Sequence, residues 1–228
     1  MSSRRATEVG SAFAVVAACV YLGYTMWNGT GASARVPPAP TRPVSIEGAT
    51  LKGSQSAKVV LLEWVDYGCP LCRKSEIDVM PVIHRDYIDT GRVQLAFFQH
   101  PVPRLHPVGQ KASEAVLCAG RQNKFWEMNR LLFEDQEHLE ESDIMRRAET
   151  LGLDQNQFTS CLSGTVTAQI ARDVRHGEAL DPNGAPTFFV GIRQPDGQVH
   201  VTAVLRKGQP LALFQKALDA ALRAAAFE

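Results

Sequence analysis

Residues 58–72, KVVLLEWVDYGCPLC, place the tightest constraint on how this chain can fold. Lys58 to Tyr67 is β-branched, aromatic and of strand length. It is mostly apolar, as a central strand buried on both faces would be. A turn follows at Gly68, and two cysteines separated by Pro70 and Leu71 open a helical pattern that runs from about Cys69 to Thr90. Pro81 is expected to kink that helix, and Gly91 to cap its C-terminus. Arg92 to Gln99 (RVQLAFFQ) repeats the strand pattern. Strand, helix and strand in that order imply parallel strands joined by a right-handed crossover.

The rest of the chain divides around this unit. VSIEGATLKGS, residues 44–54, reads as a short hairpin-forming edge punctuated by Gly48 and Gly53. From about His106 to Ala179 apolar residues recur at three- and four-residue spacing in successive segments, with Ser142 and Asp154 as N-caps. Strands return at residues 187–192 and 199–204, and Pro195-Asp196-Gly197 between them predicts an antiparallel hairpin. Leu211 to Phe227 closes the chain as an Ala/Leu-rich amphipathic helix. The expected fold class is α/β: a mixed sheet flanked by helices, with a helical domain inserted over about 106–180. With 228 residues, 45% of them hydrophobic, the chain is long enough for one sizeable core.

The first residues decide the compartment. Arg4 and Arg5 precede Val9–Trp27, a stretch of 19 residues without a charge. At ~1.5 Å per residue such a helix just crosses a ~30 Å hydrocarbon layer. Tyr21, Tyr24 and Trp27 gather at its far end, where amphipathic rings favour the interface, and the arginines stay inside. Residues 1–28 are therefore read as an anchor in the cytoplasmic membrane, and the Pro-rich residues 29–43 as a tether to a domain over 44–228. A signal peptide cleaved near Ala32-Ser33-Ala34 is the close rival, and lipidation at Cys19 a third reading. All three place the domain outside the cytoplasm, facing the periplasm or exterior. Lys plus Arg equals Asp plus Glu at 24 each, which argues against a nucleic-acid partner.

Export changes what the cysteines mean. Cys69, Cys72, Cys118 and Cys161 all lie beyond the anchor, in a compartment where disulfides persist. A thiolate at a helix N-terminus is stabilised by unpaired backbone N–H groups and a partial positive charge, so its pKa falls. Cys69, taken as the first helical residue, receives nearly all of that effect. Cys72 lies a turn deeper, at a spacing that allows a disulfide back to Cys69. Pro70 suits the first turn because its missing N–H would have no partner there. The pair reads as an attacking and a resolving thiol. Metal binding competes, but structural zinc needs a second ligand pair at defined spacing. His100, His106, His138, His176 and His200 show none, and His100 and His106 read as exposed loop residues. A copper site through Cys69, Cys72 and a distant histidine stays open. No cofactor is expected. Cys118 and Cys161, each within a helical segment, are read as either free buried thiols or a structural disulfide.

A second landmark stands far downstream, where Gly184-Ala185-Pro186-Thr187 immediately precedes the strand TFFVG. An apolar strand running into Cys-Pro-x-Cys, followed later by x-Pro-Thr-Phe-Phe-Val, resembles the thioredoxin fold. Cys72 and Pro186 lie 114 positions apart, far more than in thioredoxin itself. The surplus is the helical block, and with NKFWEMNRLLFE it resembles the DsbA-like thiol–disulfide oxidoreductases of bacterial envelopes. That resemblance spans roughly residues 44–226. It implies that Cys69 is the nucleophile, Cys72 the resolving thiol and Pro186 a cis-proline opposite them. The backbone of Ala185 would pair with an extended substrate segment, and Pro70, Leu71 and Thr187 would line the same site. Glu63 matches an acidic residue buried beneath the active site, able to relay a proton to or from Cys72. A solvent-facing strand glutamate is the competing reading, and Asp66, nearer the turn, is the alternative acid, expected to be solvated.

Two departures affect the redox direction. Leu71 stands where the most oxidising members carry histidine, and Ala185 where valine or threonine is commoner. Cys69 is then less acidic than in the extreme case, and its disulfide less oxidising. The expected function is oxidation of dithiols in reduced or misoxidised exported proteins, with the dithiol recycled by a quinone-linked membrane oxidoreductase. A reductase or isomerase on the same scaffold is the alternative, and a metal-binding chaperone a more distant one. No dimerisation element is legible, so a monomer is expected.

Overall fold

The computed structural model describes residues 40, 42–181 and 184–227. Residues 1–28, read as an anchor, and nearly all of the tether lie outside the described residues. Among the described residues no helix is long and apolar enough to cross a membrane.

A mixed sheet forms the centre: β1 (Thr50–Lys52), β2 (Val59–Val65), β3 (Val93–Gln99), β4 (Thr187–Arg193) and β5 (Val199–Arg206). The strands lie in the order β1-β3-β2-β4-β5. β2 and β3 run parallel, from Val59 beside Val93 to Val65 beside Gln99, and the remaining pairs are antiparallel. Every residue of β2 is buried, because its two faces meet two different cores. Val60, Leu62 and Trp64 face one side with Phe98 and Phe189, and the Trp64 and Phe98 rings stack at 4.3 Å. Val59, Leu61 and Val65 face the other side, among the helices.

The helix after β2, α1 over residues 70–88, is not simply kinked at Pro81. Two α-helical pieces, Pro70–Lys74 and Met80–Ile83, are each followed by a π-helical turn, Ser75–Val79 and His84–Ile88. Proline lacks a donor and its ring presses on the carbonyl four residues back. Winding the preceding turn wider relieves both, and the Met80 N–H bonds Ser75 O, five residues back. Gly91, at φ 75°, caps the end as expected, with Arg92 N–H donating to Tyr87 O at 3.1 Å.

Among the described residues five helices lie between β3 and β4: α2 (Gly109–Gly120), α3 (Phe125–Glu134), α4 (Glu141–Thr150), α5 (Gln155–Leu162) and α6 (Thr167–Leu180). α7 (Leu211–Ala225) packs Phe214 edge-on against Phe188 at 4.8 Å. Asp154 caps α5 by accepting from Gln157 N–H at 2.9 Å. Ser142 is no cap; α4 starts one residue earlier, with Glu140 in the cap position. The predicted hairpin over residues 44–54 is also absent. Val44 bridges Val199 at one edge of the sheet, while Thr50–Lys52 pairs with β3 at the other. Between them Ile46 and Ala49 pack on the sheet face. Two open sheet edges compete with a short hairpin for the same backbone groups, and they win because the connecting residues gain burial.

Cys118 on α2 and Cys161 on α5 form a disulfide across a sequence separation of 43 residues. Closing a loop of that length restricts the unfolded chain by about 3–4 kcal/mol. Replacing both cysteines with alanine is expected to lower stability by about 2–4 kcal/mol in urea unfolding of the 40–228 domain. A change below about 0.5 kcal/mol would show that the bond constrains nothing the fold needs.

Candidate active site

The sheet register builds the site. Trp64, near the end of β2, pairs with Thr187 at the start of β4, so the loop entering β4 meets the turn leaving β2. That loop holds the cis peptide Ala185–Pro186, and the turn delivers Cys69. Cys69 occupies the N-cap of α1 rather than its first helical residue, and Pro70 takes the first turn. Its backbone is in the extended conformation of a cap, which aims the side chain past the helix end. Cys69 Sγ lies 3.9 Å from Ala185 O. Both cysteines are free thiols, Cys69 with 7% of its surface exposed and Cys72 with none.

This arrangement drives the two thiols apart in acidity. The Cys69 pKa falls from 9.0 to about 6, first because the Cys72 thiol donates to it. Backbone N–H groups of Cys72 and Leu71 and the charge of His106 act in the same direction, while burial opposes them. Cys72 is pushed well up by burial and by its neighbour Cys69, and its sulfur accepts the Asp66 N–H at 3.3 Å. One sulfur is thus an exposed-side thiolate and the other a buried thiol. Leu71 is 42% exposed beside the site. Thr187 is buried and its hydroxyl donates to Gly184 O at 2.5 Å, so it shapes the loop from within.

Glu63 is not an exposed strand residue. It is fully buried, and its carboxyl faces that of Glu76, to which it donates a hydrogen bond when protonated. Burial raises its pKa well above the ordinary value, and the like charge of Glu76 raises it further. Glu76, also raised by burial, follows Cys72 by one helical turn. Asn129 on α3 donates to Glu76 Oε2 at 3.2 Å and accepts from the Tyr67 hydroxyl at 2.6 Å. Sequence reasoning missed Glu76, Asn129 and Tyr67. The signal for Glu76 was its i,i+4 spacing from Cys72, which sets both on the covered face of α1. Gln136, also missed, donates to the carbonyls of Tyr67 at 2.6 Å and Cys69 at 2.9 Å, and so ties the turn to the helical block.

Asp66 contradicts the expectation of a solvated acid, because it has no exposed surface. Its carboxylate accepts from Gly68 N–H, Val102 N–H and the His106 ring nitrogen Nδ1, at 2.9, 2.9 and 2.8 Å. His106 is accordingly no free loop residue, and His100 is buried at 4% exposure. Both lie in the β3–α2 loop, which folds back over the turn. A side chain at Gly109 would collide with Asp66, so only glycine admits that approach. Among the described residues no group of three or more His, Cys, Asp or Glu is placed to hold a metal ion.

Comparison with known proteins bears on this geometry. The sequence model of the thioredoxin family matches residues 46–206. The crystal structure of alpha-DsbA1 from Wolbachia pipientis superposes with a TM-score of 0.70 at 20% identity, covering 81% of this chain and 96% of that one. BdbD from Bacillus subtilis gives 0.67 at 21%, covering 81% and 98%. A thioredoxin-like oxidoreductase from Silicibacter pomeroyi gives 0.63 at 27%, covering 78% and 95%. By sequence the chain is 33% identical over 163 residues to a protein named Na(+)/H(+) antiporter NhaA 3 from Salinispora tropica. It is 36% identical over 167 residues to one named NhaA 1 from Mycolicibacterium vanbaalenii. These matches take in 71% and 69% of this chain but only 24% and 26% of those relatives, so it spans about a quarter of their length.

Proposed function

Because this chain belongs to the thioredoxin family, we propose that it is an exported thiol–disulfide oxidoreductase that oxidises substrate dithiols through a Cys69–Cys72 disulfide. The observation that carries the reading is Cys69 itself. Its sulfur stands at a helix cap beside Ala185 O, with the second thiol buried behind it. In the oxidised protein a substrate thiolate attacks the Cys69 sulfur, a mixed disulfide forms, and Cys72 leaves. Cys72 is a weak acid, so it departs as a thiol, and the protonated Glu63 beneath α1 is the group that supplies the proton. A second substrate thiolate then attacks the mixed disulfide and expels Cys69 as a thiolate, a good leaving group because of its low pKa. The substrate protons leave when the attacking thiols ionise, one proton returns to Cys72 through Glu63, Cys69 stays a thiolate, and two electrons pass from substrate to enzyme. A quinone-linked oxidoreductase in the membrane is the co-reactant that removes them. The backbone of Ala185 pairs with the extended substrate segment, and Pro70, Leu71 and Pro186 surround it.

The uncharged residues 9–27 support export, with the domain tethered outside the cytoplasmic membrane. The domain is proposed to act as a monomer on exported proteins, independently of any transport by the longer relatives.

Acidity supports the oxidising direction in moderation. Thioredoxin's reactive cysteine titrates near 7 and that of the strongest oxidant near 3.5, so a Cys69 at about 6 lies between them. Equilibration with glutathione buffers is expected to place the potential between about −270 and −120 mV. Oxidised protein should also restore activity to reduced ribonuclease. Site-resolved alkylation of the reduced domain should show Cys69 reacting with a midpoint at about pH 6 while Cys72 stays inert through neutral pH. A potential at or below that of thioredoxin, with rapid insulin reduction, would assign the reductase instead. A Cys69 that titrates near 9 would remove the catalytic reading altogether.

A further inference from the structure

The redox pair has no histidine between its cysteines, yet an imidazole from another part of the chain lies against the turn that carries Cys69. His106 comes from the β3–α2 loop, 40 residues after Asp66, and its Nδ1 lies 2.8 Å from the Asp66 carboxylate. Asp66 is completely buried and also accepts the Gly68 and Val102 N–H groups, so the ring is clamped from a rigid turn. The fit against the active-site turn is close. A side chain on Gly68, the residue before Cys69, would collide with the Cβ of His106. His106 and Ala185 line one cavity of about 510 Å³, and Ala185 O is the group 3.9 Å from the Cys69 sulfur. The His106 side chain keeps 23% of its surface exposed, so solvent protons reach it.

We infer that His106 is the cation of this redox centre and Asp66 the residue that positions it. With the ring protonated, its charge stabilises the Cys69 thiolate from the cis-proline cavity, a place no residue between the cysteines occupies. The inference rests on Cys69 being the nucleophile. The other charged or titratable groups around His106 are Asp66, which bonds the ring, Cys69 on the same β2–α1 turn, and His100, Arg104 and Glu178 of α6, which line the same cavity. Asp66 offsets part of the imidazolium charge and Arg104 adds to it, so the ring is one contributor to a mixed field. Its own contribution is the part that disappears when the ring loses its proton.

Reciprocity gives the test. If the imidazolium favours the thiolate, the thiolate favours the imidazolium by the same factor. The experiment follows iodoacetamide alkylation of Cys69 against pH in the reduced full chain, alongside His106→Gln and His106→Lys. Glutamine keeps a donor for Asp66 and removes the charge; lysine keeps the charge. A nearby opposite charge moves a pKa by about one unit. At pH 6 the His106→Gln variant should therefore react about fivefold more slowly, while His106→Lys stays within about twofold of the parent. The gap should close above about pH 9, where the thiol ionises in every variant. The glutamine variant should also be the less oxidising in glutathione buffers. In the unsubstituted protein, the NMR resonances of the His106 ring should move when Cys69 is locked in the disulfide. That measurement stands even if a variant does not fold. Identical profiles for parent and His106→Gln, equal slowing by glutamine and lysine, or ring resonances indifferent to the redox state would each overturn the inference. Cys69→Ser separates the two levels. If it retains oxidase activity the underlying reading fails, and if it is inactive while His106→Gln keeps the parent profile only the role of His106 is lost.

Discussion

Cys69→Ser is expected to abolish oxidation of reduced ribonuclease, a loss of roughly a thousandfold or more, because a hydroxyl can neither form the disulfide nor leave as a stable anion. Loss of activity alone would not locate the nucleophile, since Cys72→Ser also removes the disulfide. Reactivity separates the two. In Cys72→Ser the Cys69 sulfur remains at the helix cap with the Leu71 N–H still directed at it, and should be alkylated at neutral pH. In Cys69→Ser the surviving thiol is fully buried and held well above its ordinary pKa, so the peptide carrying residues 69–72 should stay unmodified at pH 7. Rapid alkylation of Cys72 in that variant would mean that the division into outer thiolate and inner thiol is wrong. The prediction is large because it removes a bond rather than tuning one.

Glu63→Gln is expected to make the protein more stable and less active together. Glu63 sits with no exposed surface, facing the half-buried carboxyl of Glu76. Its folded pKa lies above the unfolded value, so the native state holds a proton that the unfolded chain releases. Stability from this group is full below the unfolded pKa of about 4.5 and is lost as the pH rises above it. Acids with lowered pKa, such as Asp86, Asp135 and Glu127, act with the opposite sign, but all three are at the surface and screened. Burial raises Asp173 as well, to about 7, so Glu63 and Asp173 together should make stability decline as the pH rises above about 4.5. The amide cannot ionise, so Glu63→Gln should remove the Glu63 share of that slope and be more stable than the parent at pH 7. Turnover should fall about ten- to a hundredfold, because Cys72 loses the group that returns its proton. Denaturant unfolding across pH, with ribonuclease oxidation on the same samples, reads both effects. A variant of unchanged stability would mean that the carboxyl is solvated, and one of unchanged rate would mean that protons reach Cys72 by another route.

Much of the site was legible because its signals are local. The strand leading to the turn at Gly68, the cysteines at the start of a helix, the proline opening TFFVG, the Asp154 cap and the Gly91 terminus each depend on a few neighbouring residues and the conformations those residues allow. The same local logic gave the wrong result where a distant partner intervened. Asp66 and His106 look like a turn acid and a loop histidine until the β3–α2 loop folds across the turn and joins them. Residues 44–54 look like a hairpin until two open edges of a sheet each take a part. The chemistry of Glu63 depends on Glu76, which belongs to a different element and approaches only because α1 packs on that face of β2.

The amino-acid order by itself determined which residues are strand, turn and helix around Cys69, and that a thiol would stand at a helix start. Backbone sterics and the unpaired N–H groups of a first turn act over distances of a few residues. Tertiary structure alone decided that the Ala185 carbonyl would stand beside the Cys69 sulfur, that the Glu63 and Glu76 carboxyls would face each other, and that an imidazole would bond Asp66 from forty residues further along. Those outcomes follow from the register that sets Thr187 against Trp64 and from burial that strips water from charged groups, and neither is written in any short window of sequence.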